Sequence, residues 1–206
     1  MDWVKICVVG LISELMHQER ELLTTVLEET DRLNRLVGNI MDLAKIRAGA
    51  LAPQRELLAL DEIVNAVLAR MRTDLGGVTA RTVIRPDVPE ISADPVQLDQ
   101  VLTNLIENAA RHSREGGEIQ VTAAVFGSGV QIRVVDHGPG IPAKERTKVF
   151  EPFYRGEGPP DRPGSGLGLP IARAIVIAHG GRIWIEGAPG GGAAVVFELP
   201  IAEEQT

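Results

Sequence analysis

The stretch Pro95-Val-Gln-Leu-Asp-Gln-Val-Leu-Thr-Asn-Leu-Ile-Glu-Asn-Ala-Ala-Arg-His112 decides how the rest of the chain is read. Leu98, Val101, Leu102, Leu105, Ile106 and Ala109 recur at three- and four-residue steps, the period of an amphipathic helix. Asp94 stands where an N-cap belongs, and Pro95 at the first helical position forfeits no hydrogen bond. Beside the apolar stripe, Asn104, Asn108 and His112 fall at i, i+4 and i+8, with Arg111 next to them. Two amides and two basic groups thus line one edge of a helix whose other face is buried. Alone, an Asn-x-x-x-Asn pair reads as a solvated helix edge. The glycine-rich sequence downstream gives it another meaning.

Beyond that helix, Glu118–Phe126 and residues 130–135 alternate apolar and polar side chains around Gly127-Ser-Gly129, which predicts a β-hairpin. Residues 169–178 predict a helix. Residues 182–186 and 193–199 predict a second hairpin around Gly190-Gly-Gly192. On the other side, residues 57–75 predict a helix with Leu60, Ile63, Val64, Val67, Leu68 and Met71 inward, and residues 78–84 a strand. Helices and hairpins in this order predict an α+β fold, a two-layer α/β sandwich with a mixed, largely antiparallel sheet.

Residues 1–50 predict two helices. Val4, Val8, Leu11, Ile12 and Leu15 form one apolar stripe, ending in the polar stretch His17-Gln-Glu-Arg20. Leu23, Val26, Thr30, Leu33, Val37, Ile40 and Ala44 then make a heptad seam interrupted by Thr30, widened by Leu27, Leu36, Met41 and Leu43. Two helices cannot bury so broad a face against each other alone. The expectation is a helical hairpin over residues 1–53 that pairs with a second copy into a four-helix bundle; packing on its own globular domain is the other option. Gly49 and Pro53 mark the linker, and residues 54–206 form the second domain.

With 44% hydrophobic and 24% charged residues, the composition is that of an ordinary globular protein. A net charge of −7 and the lack of a Lys/Arg block argue against a nucleic-acid partner. Cys7 is the single cysteine, which excludes a disulfide framework and points to a reducing compartment. The apolar run over residues 6–12 is far short of the roughly 20 residues that span a bilayer. As given, the chain reads as cytoplasmic, with membrane attachment only through a sensor region in a longer parent.

Two glycine clusters carry the chemistry. Val134-Val-Asp-His-Gly-Pro-Gly-Ile141 puts a carboxylate where a strand ends and a tight turn begins. Asp136 there can accept from an exocyclic amine, while Gly138 and Gly140 let a flat ring approach the backbone. Gly164-Ser-Gly-Leu-Gly-Leu169 runs straight into a helix with Pro170 in its first turn. Free N–H groups and the positive helix end would cradle phosphates there. Between the clusters, residues 151–163 are rich in Gly and Pro and fit a mobile lid over a phosphate.

Asn104-Leu-Ile-Glu-Asn-Ala, Asp136-His-Gly-Pro-Gly-Ile, Phe150-Glu-Pro-Phe-Tyr-Arg and Gly164-Ser-Gly-Leu-Gly-Leu resemble, in order and spacing, the N, G1, F and G2 boxes of sensor histidine kinases. The resemblance covers roughly residues 57–200, and residues 22–50 resemble the second helix of that family's dimerisation domain. It implies the Bergerat ATP-binding sandwich shared with gyrase, Hsp90 and MutL, with ATP and Mg²⁺ as cofactors and a response regulator receiver domain as partner. By the same resemblance, Asn108 would hold Mg²⁺, with Asn104 and Arg111 near the phosphates and His112 also binding the nucleotide. Asp136 would read the adenine amino group and Gly140 would pack against the ring, with Gly138, Ile141 and Phe150 also binding the nucleotide. Arg155 would reach the γ-phosphate, and Gly164, Ser165, Gly166, Leu167, Gly168 and Leu169 would form the phosphate loop.

Three departures from the family pattern stand out. His137 replaces the usual Asn of the G1 box, and Ala193 replaces the frequent Thr or Ser of the last box. The acceptor motif His-Glu/Asp-Leu-Arg-x-Pro is absent; His17-Gln-Glu-Arg20 lacks its Pro and reads as a solvated turn. The expected function is therefore transfer of the ATP γ-phosphoryl to a histidine outside its usual place in this chain. The alternatives are a non-catalytic nucleotide-binding and dimerisation module, or an ATPase of the gyrase and MutL type. Such ATPases carry a general-base Glu four residues before the Mg²⁺-binding Asn, where this chain has Asn104.

Overall fold

The computed structural model describes residues 2–49, 51–114, 116–156 and 164–201. They divide into two compact units, Met1–Asp42 and Leu43–Thr206.

The first unit belongs to one helix, α1 (Asp2–Arg47), which corrects the expectation of a hairpin. The stretch His17-Gln-Glu-Arg20 holds neither Gly nor Pro, and these side chains cost a helix only tenths of a kcal/mol each, so polarity alone does not end it (roughly 0–0.7 kcal/mol per residue). The helix stops at Gly49, whose φ of 65° is the left-handed conformation of a C-terminal cap. Its seam lies open: Leu23, Val26, Leu33, Val37 and Ile40 are each more than half exposed. Thr30, the break in the seam, turns its hydroxyl back to the Val26 carbonyl at 2.8 Å.

In the second unit, β1 (Glu56–Leu58) pairs antiparallel with β3 (Ile91–Ala93). This pairing takes residues 57 and 58 out of the helix predicted over 57–75, and α2 runs only over Leu60–Met71. After β2 (Thr79–Ile84) and β3 comes α3 (Pro95–His112), with the bounds its pattern predicts. Then follow β4 (Glu118–Phe126), β5 (Gly129–Val135), a 3-10 turn (Lys148–Phe150), α4 (Gly168–Ala178), β6 (Arg182–Gly187) and β7 (Ala193–Pro200). The main sheet has the order β2-β4-β5-β7-β6, with β2–β4 parallel and the other pairs antiparallel.

All three helices of this unit contribute to one core with the sheet. Leu60, Val64, Val67 and Met71 of α2, the six apolar residues of α3, and Ile171, Ala172, Ile175 and Val176 of α4 are buried with Ile119, Val121, Ile132, Val134, Val195 and Phe197. Each fully buried Leu, Ile or Phe contributes about 1.5–3 kcal/mol over an exposed one. Ile63 and Leu68, also expected inward, are half-buried at its margin. The sheet's other face carries a polar cluster beside Ala194 and Val196. There Glu186 accepts from Arg133 and from the Trp184 indole, both at 2.7 Å, and these partners hold its carboxyl below the usual range.

The N-terminus of α3 is fastened by a side-chain cluster. Asp94 Oδ1 accepts from the amides of Val96 at 3.0 Å and Gln97 at 3.1 Å, the expected N-cap, while Oδ2 accepts from the Gln54 amide at 2.9 Å. The Asp94 amide donates to His179 Nε2 at 3.0 Å, and His179 Nδ1 bonds the Ile175 carbonyl at 2.8 Å. With Nε2 accepting, the ring proton belongs on Nδ1. Arg55 adds a bond to the Ala178 carbonyl at 3.1 Å. The linker after α1 is thus tied to the start of α3 and the end of α4.

Burial by itself would raise the Asp94 pKa, but the amides of Gln54, Gln97 and Val96 outweigh it and hold it below the ordinary value. Asp94→Ala is expected to lower unfolding stability at pH 7 by about 1–2 kcal/mol, read from urea denaturation. A lowered folded pKa makes this contribution complete above the unfolded value of about 3.9 and lost as pH falls through the folded one. Wild type and Asp94→Ala should therefore converge in acid. A gap that stays constant down to pH 2 would contradict the cap.

Candidate functional site

The polar edge of α3 faces the glycine loop that opens α4. A Cβ placed on Gly168 would lie 3.4 Å from Asn104 Oδ1, and one on Gly164 would lie 3.2 Å from Arg111 Nη1. Asn104 and Asn108 are half-buried, Arg111 is exposed, and His112 ends the row half-buried. The Asn104 Nδ2 is buried with no hydrogen-bond partner among the described residues. An unmatched buried donor costs about 1–3 kcal/mol, a cost that an acceptor brought by a ligand would remove.

The first turn of α4 has no side-chain cap, so its backbone donors and the positive end of its dipole are left for an anion. Gly164 and Gly166 take φ values of 144° and 69°. The Leu167 amide is already bonded to Ser165 Oγ at 3.3 Å. Leu167 is buried and Leu169 packs on the core, so they anchor the loop from behind. The Phe153 amide donates to the Gly166 carbonyl at 2.9 Å, and a Cβ on Gly166 would stand 2.8 Å from the Phe153 carbonyl carbon. The chain entering the expected lid is therefore joined to the glycine loop that follows it. Most of that lid, residues 157–163, lies outside the described residues.

Asp136 follows β5 and is 4% exposed. Its Oδ1 accepts from the Gly138 amide at 2.8 Å and the Ala193 amide at 3.2 Å, and its own amide donates to the Ala193 carbonyl at 2.9 Å. A side chain on Gly138 would collide with the His112 carbonyl, so the turn sits directly on the end of α3. Gly140 takes a φ of 77°, and a Cβ there would lie 2.8 Å from the Gly192 carbonyl oxygen.

Most of the expected site residues therefore converge. Asn104, Asn108 and Arg111 stand along α3, Gly164–Gly168 lie beside Asn104 and Arg111, and Asp136, Gly138 and Gly140 lie past the end of α3. Arg155 is exposed just beyond the joined lid root. Ile141 is half-buried on the core margin, with its carbonyl accepting from Arg146 Nε at 3.1 Å. Phe150 does not join them. Its ring is buried in the core, with the Arg173 guanidinium 5.6 Å from its centroid. His137, the G1 departure, points its Nδ1 to the Glu118 carbonyl at 3.0 Å. The role of Ala193 escapes a reading of side chains, because it is the main chain of that residue that grips Asp136. The signal was the glycine run just before it.

Among the described residues, no group of three or more His, Cys, Asp or Glu side chains could hold a metal ion. A hard cation with few protein ligands, completed by phosphate oxygens and water, is what the amide oxygen of Asn108 suits.

The family model for histidine kinase-, DNA gyrase B-, and HSP90-like ATPases matches residues 93–203, more than half of the 206. The chain belongs to this family. It is 37% identical over 166 residues to the sensor protein KdpD of Escherichia coli (strain K12), covering 81% of this chain and 18% of that protein. The crystal structure of full-length ShkA in complex with AMPPNP is similar with a TM-score of 0.77 at 29% identity, over 91% of this chain and 40% of that one. That of histidine kinase ThkA with the response regulator protein TrrA has a TM-score of 0.69 at 26% identity, over 86% and 50%. The fold is that of histidine kinase catalytic domains. The chain spans less than a third of the length of the KdpD and KinB sensor proteins it matches. Among the described residues no helix is long and apolar enough to cross a membrane.

The close approach at Gly138 is directly testable. Gly138→Ala should lose about 1–3 kcal/mol of stability through overpacking against the His112 carbonyl, measured by chemical denaturation. A variant as stable as wild type would show that the turn does not rest on α3.

Proposed function

We propose that the chain is the catalytic region of a two-component sensor histidine kinase, transferring the γ-phosphoryl of Mg²⁺-bound ATP to a histidine that is not in its usual place here. The observation that carries this reading is the convergence of the Asn edge of α3, the uncapped start of α4 and the buried Asp136 on one site. The likeness to ShkA, crystallised with the ATP analogue AMPPNP, supports it.

Each residue then has a task. Asp136 accepts from the adenine amine, and Gly138 and Gly140 let the ring lie on the backbone. Asn104 Nδ2 and the first amides of α4 donate to phosphate oxygens. Arg111 supplies charge there, and Arg155 can fork onto the γ-phosphate. Asn108 would hold Mg²⁺, which neutralises the negative charge on the transferring phosphoryl group. The acceptor imidazole attacks the γ-phosphorus in line, the bond to the bridging oxygen breaks, and ADP leaves.

Asn104 has no proton affinity to activate water, and Glu107 projects about 100° away from Asn108 around the helix. This separates the site from the water-activating ATPases. The domain extends over residues 54–206. Its partner is a response regulator receiver domain, as the ThkA–TrrA complex suggests for a related kinase. Incubation with γ-labelled ATP and an added helix bearing the family's acceptor motif should label that helix, with none on His17 or His112 after alkaline work-up. Asp136→Ala should abolish the labelling. Rapid phosphate release that Asn108→Ala stops, with no labelled histidine, would replace the kinase by an ATPase.

The open seam of α1 further supports a homodimer through residues 1–50, now as paired long helices rather than paired hairpins. Leu33→Glu with Ile40→Glu should give monomers in sedimentation velocity. Wild type sedimenting as a monomer at tens of micromolar would refute the dimer.

A further inference from the structure

The carboxylate of Asp136 is held unequally. Oδ1 takes both the Gly138 and the Ala193 amide, whereas none of the bonds found among the described residues goes to Oδ2. The Ala193 amide reaches Oδ1 because β7 begins hard against the Asp136 turn. Gly192 makes that possible. Any side chain on it would collide with the Asp136 carbonyl oxygen, and a Cβ would come 2.9 Å from the His137 Cα. Its own carbonyl fills the space where a Cβ on Gly140 would sit, at 2.8 Å. Gly192 is thus wedged between the two parts of the Asp136-to-Gly140 turn.

We propose that the hairpin turn Gly190-Gly-Gly192 is the positioning element for base selection, with Gly192 and the Ala193 amide locking Asp136 so that Oδ2 alone is presented to the base. The inference rests on the reading of Asp136 as the adenine acceptor and deepens it. A carboxylate fixed at both Oδ1 bonds meets an amine at the purine 6-position with an acceptor, and sets acceptor against acceptor where the base has a 6-carbonyl. A carboxylate released from those bonds can swing out of reach of the 6-position, and the distinction weakens with the lost contact. Selection then depends on a residue that touches no ligand. The neighbouring turn residue supplies a matched control. Gly191 has a φ of 102° against 98° for Gly192, yet a Cβ on Gly191 meets open space. Backbone strain is therefore shared by the two substitutions, and the collision belongs to Gly192 alone.

Titration calorimetry on the full chain would compare Mg²⁺ complexes of ATP, GTP and inorganic tripolyphosphate. Wild type and Gly191→Ala should both prefer ATP by the same ratio. Gly192→Ala should lower that ratio by roughly tenfold or more, the worth of one charge-assisted hydrogen bond, while tripolyphosphate affinity stays unchanged. A folded Gly192→Ala with the wild-type ratio overturns the positioning role, as does a parallel loss of tripolyphosphate binding. A wild type that does not distinguish ATP from GTP overturns the Asp136 assignment itself. Should Gly192→Ala not fold, the amide proton shifts of Gly138 and Ala193 decide. Both should move in Asp136→Asn, and an unmoved Ala193 amide refutes the clamp.

Discussion

The burial of one face of α3 is the constraint from which the site follows. Leu98, Val101, Leu102, Leu105, Ile106 and Ala109 are at most 3% exposed, so the helix has no freedom to roll about its axis. A rotation of one residue would turn the helix by about 100° and put amides into the core. Fixing the apolar face therefore fixes where Asn104, Asn108 and Arg111 point. The candidate edge needs no separate device to aim it, because the hydrophobic core does so.

Rotation is one coordinate, and sliding is another. The cluster of Asp94, His179 and Gln54 sits at the ends of α3 and α4 remote from Gly168, the start of α4 beside Asn104. Hydrogen bonds between buried groups are directional in a way that apolar contacts are not, so this cluster sets the axial register of the two helices. The segment after α1 is tied to the same place through Gln54 and Arg55. A pull on that linker would act on the far ends of the two helices whose other parts form the candidate site.

Much of this is legible in the sequence, and the reasons differ by element. The bounds of α3 are readable because period, cap and proline agree. The glycine clusters are readable because Gly138, Gly140 and Gly166 stand where a side chain would collide or a positive φ is needed. The continuity of α1 is easily misread because a polar stretch looks like a break, although no residue there strongly disfavours helix. The β1–β3 pair escapes notice because three-residue strands carry too little alternation to be seen. The tie between Asp94 and His179 spans 85 positions, and nothing local in either stretch announces the other. Phe150 carries a motif position but works in the core, since sequence cannot tell a ring that lines a site from one that supports it.

The charge of the chain sharpens the last point. A protein of net charge −7 is proposed to bind a polyphosphate, which long-range attraction does not favour. At physiological ionic strength, charges beyond about 8 Å are largely screened, so the distant acidic residues matter little. What counts is the immediate lining: Arg111, Arg155, the uncapped first turn of α4 and the amide edge of α3, none of them acidic. Helix-end donors and amides are partial charges, fixed in place before the ligand arrives, and they need no counter-ion to be displaced. The buried carboxylate of Asp136 has one oxygen spent on two backbone amides, which offsets part of its charge on the side away from the proposed base position. The site thus places its acceptor at the turn beyond the end of α3 and its donors along α3 and the start of α4, an order that fits a nucleotide with its base and phosphates at opposite ends.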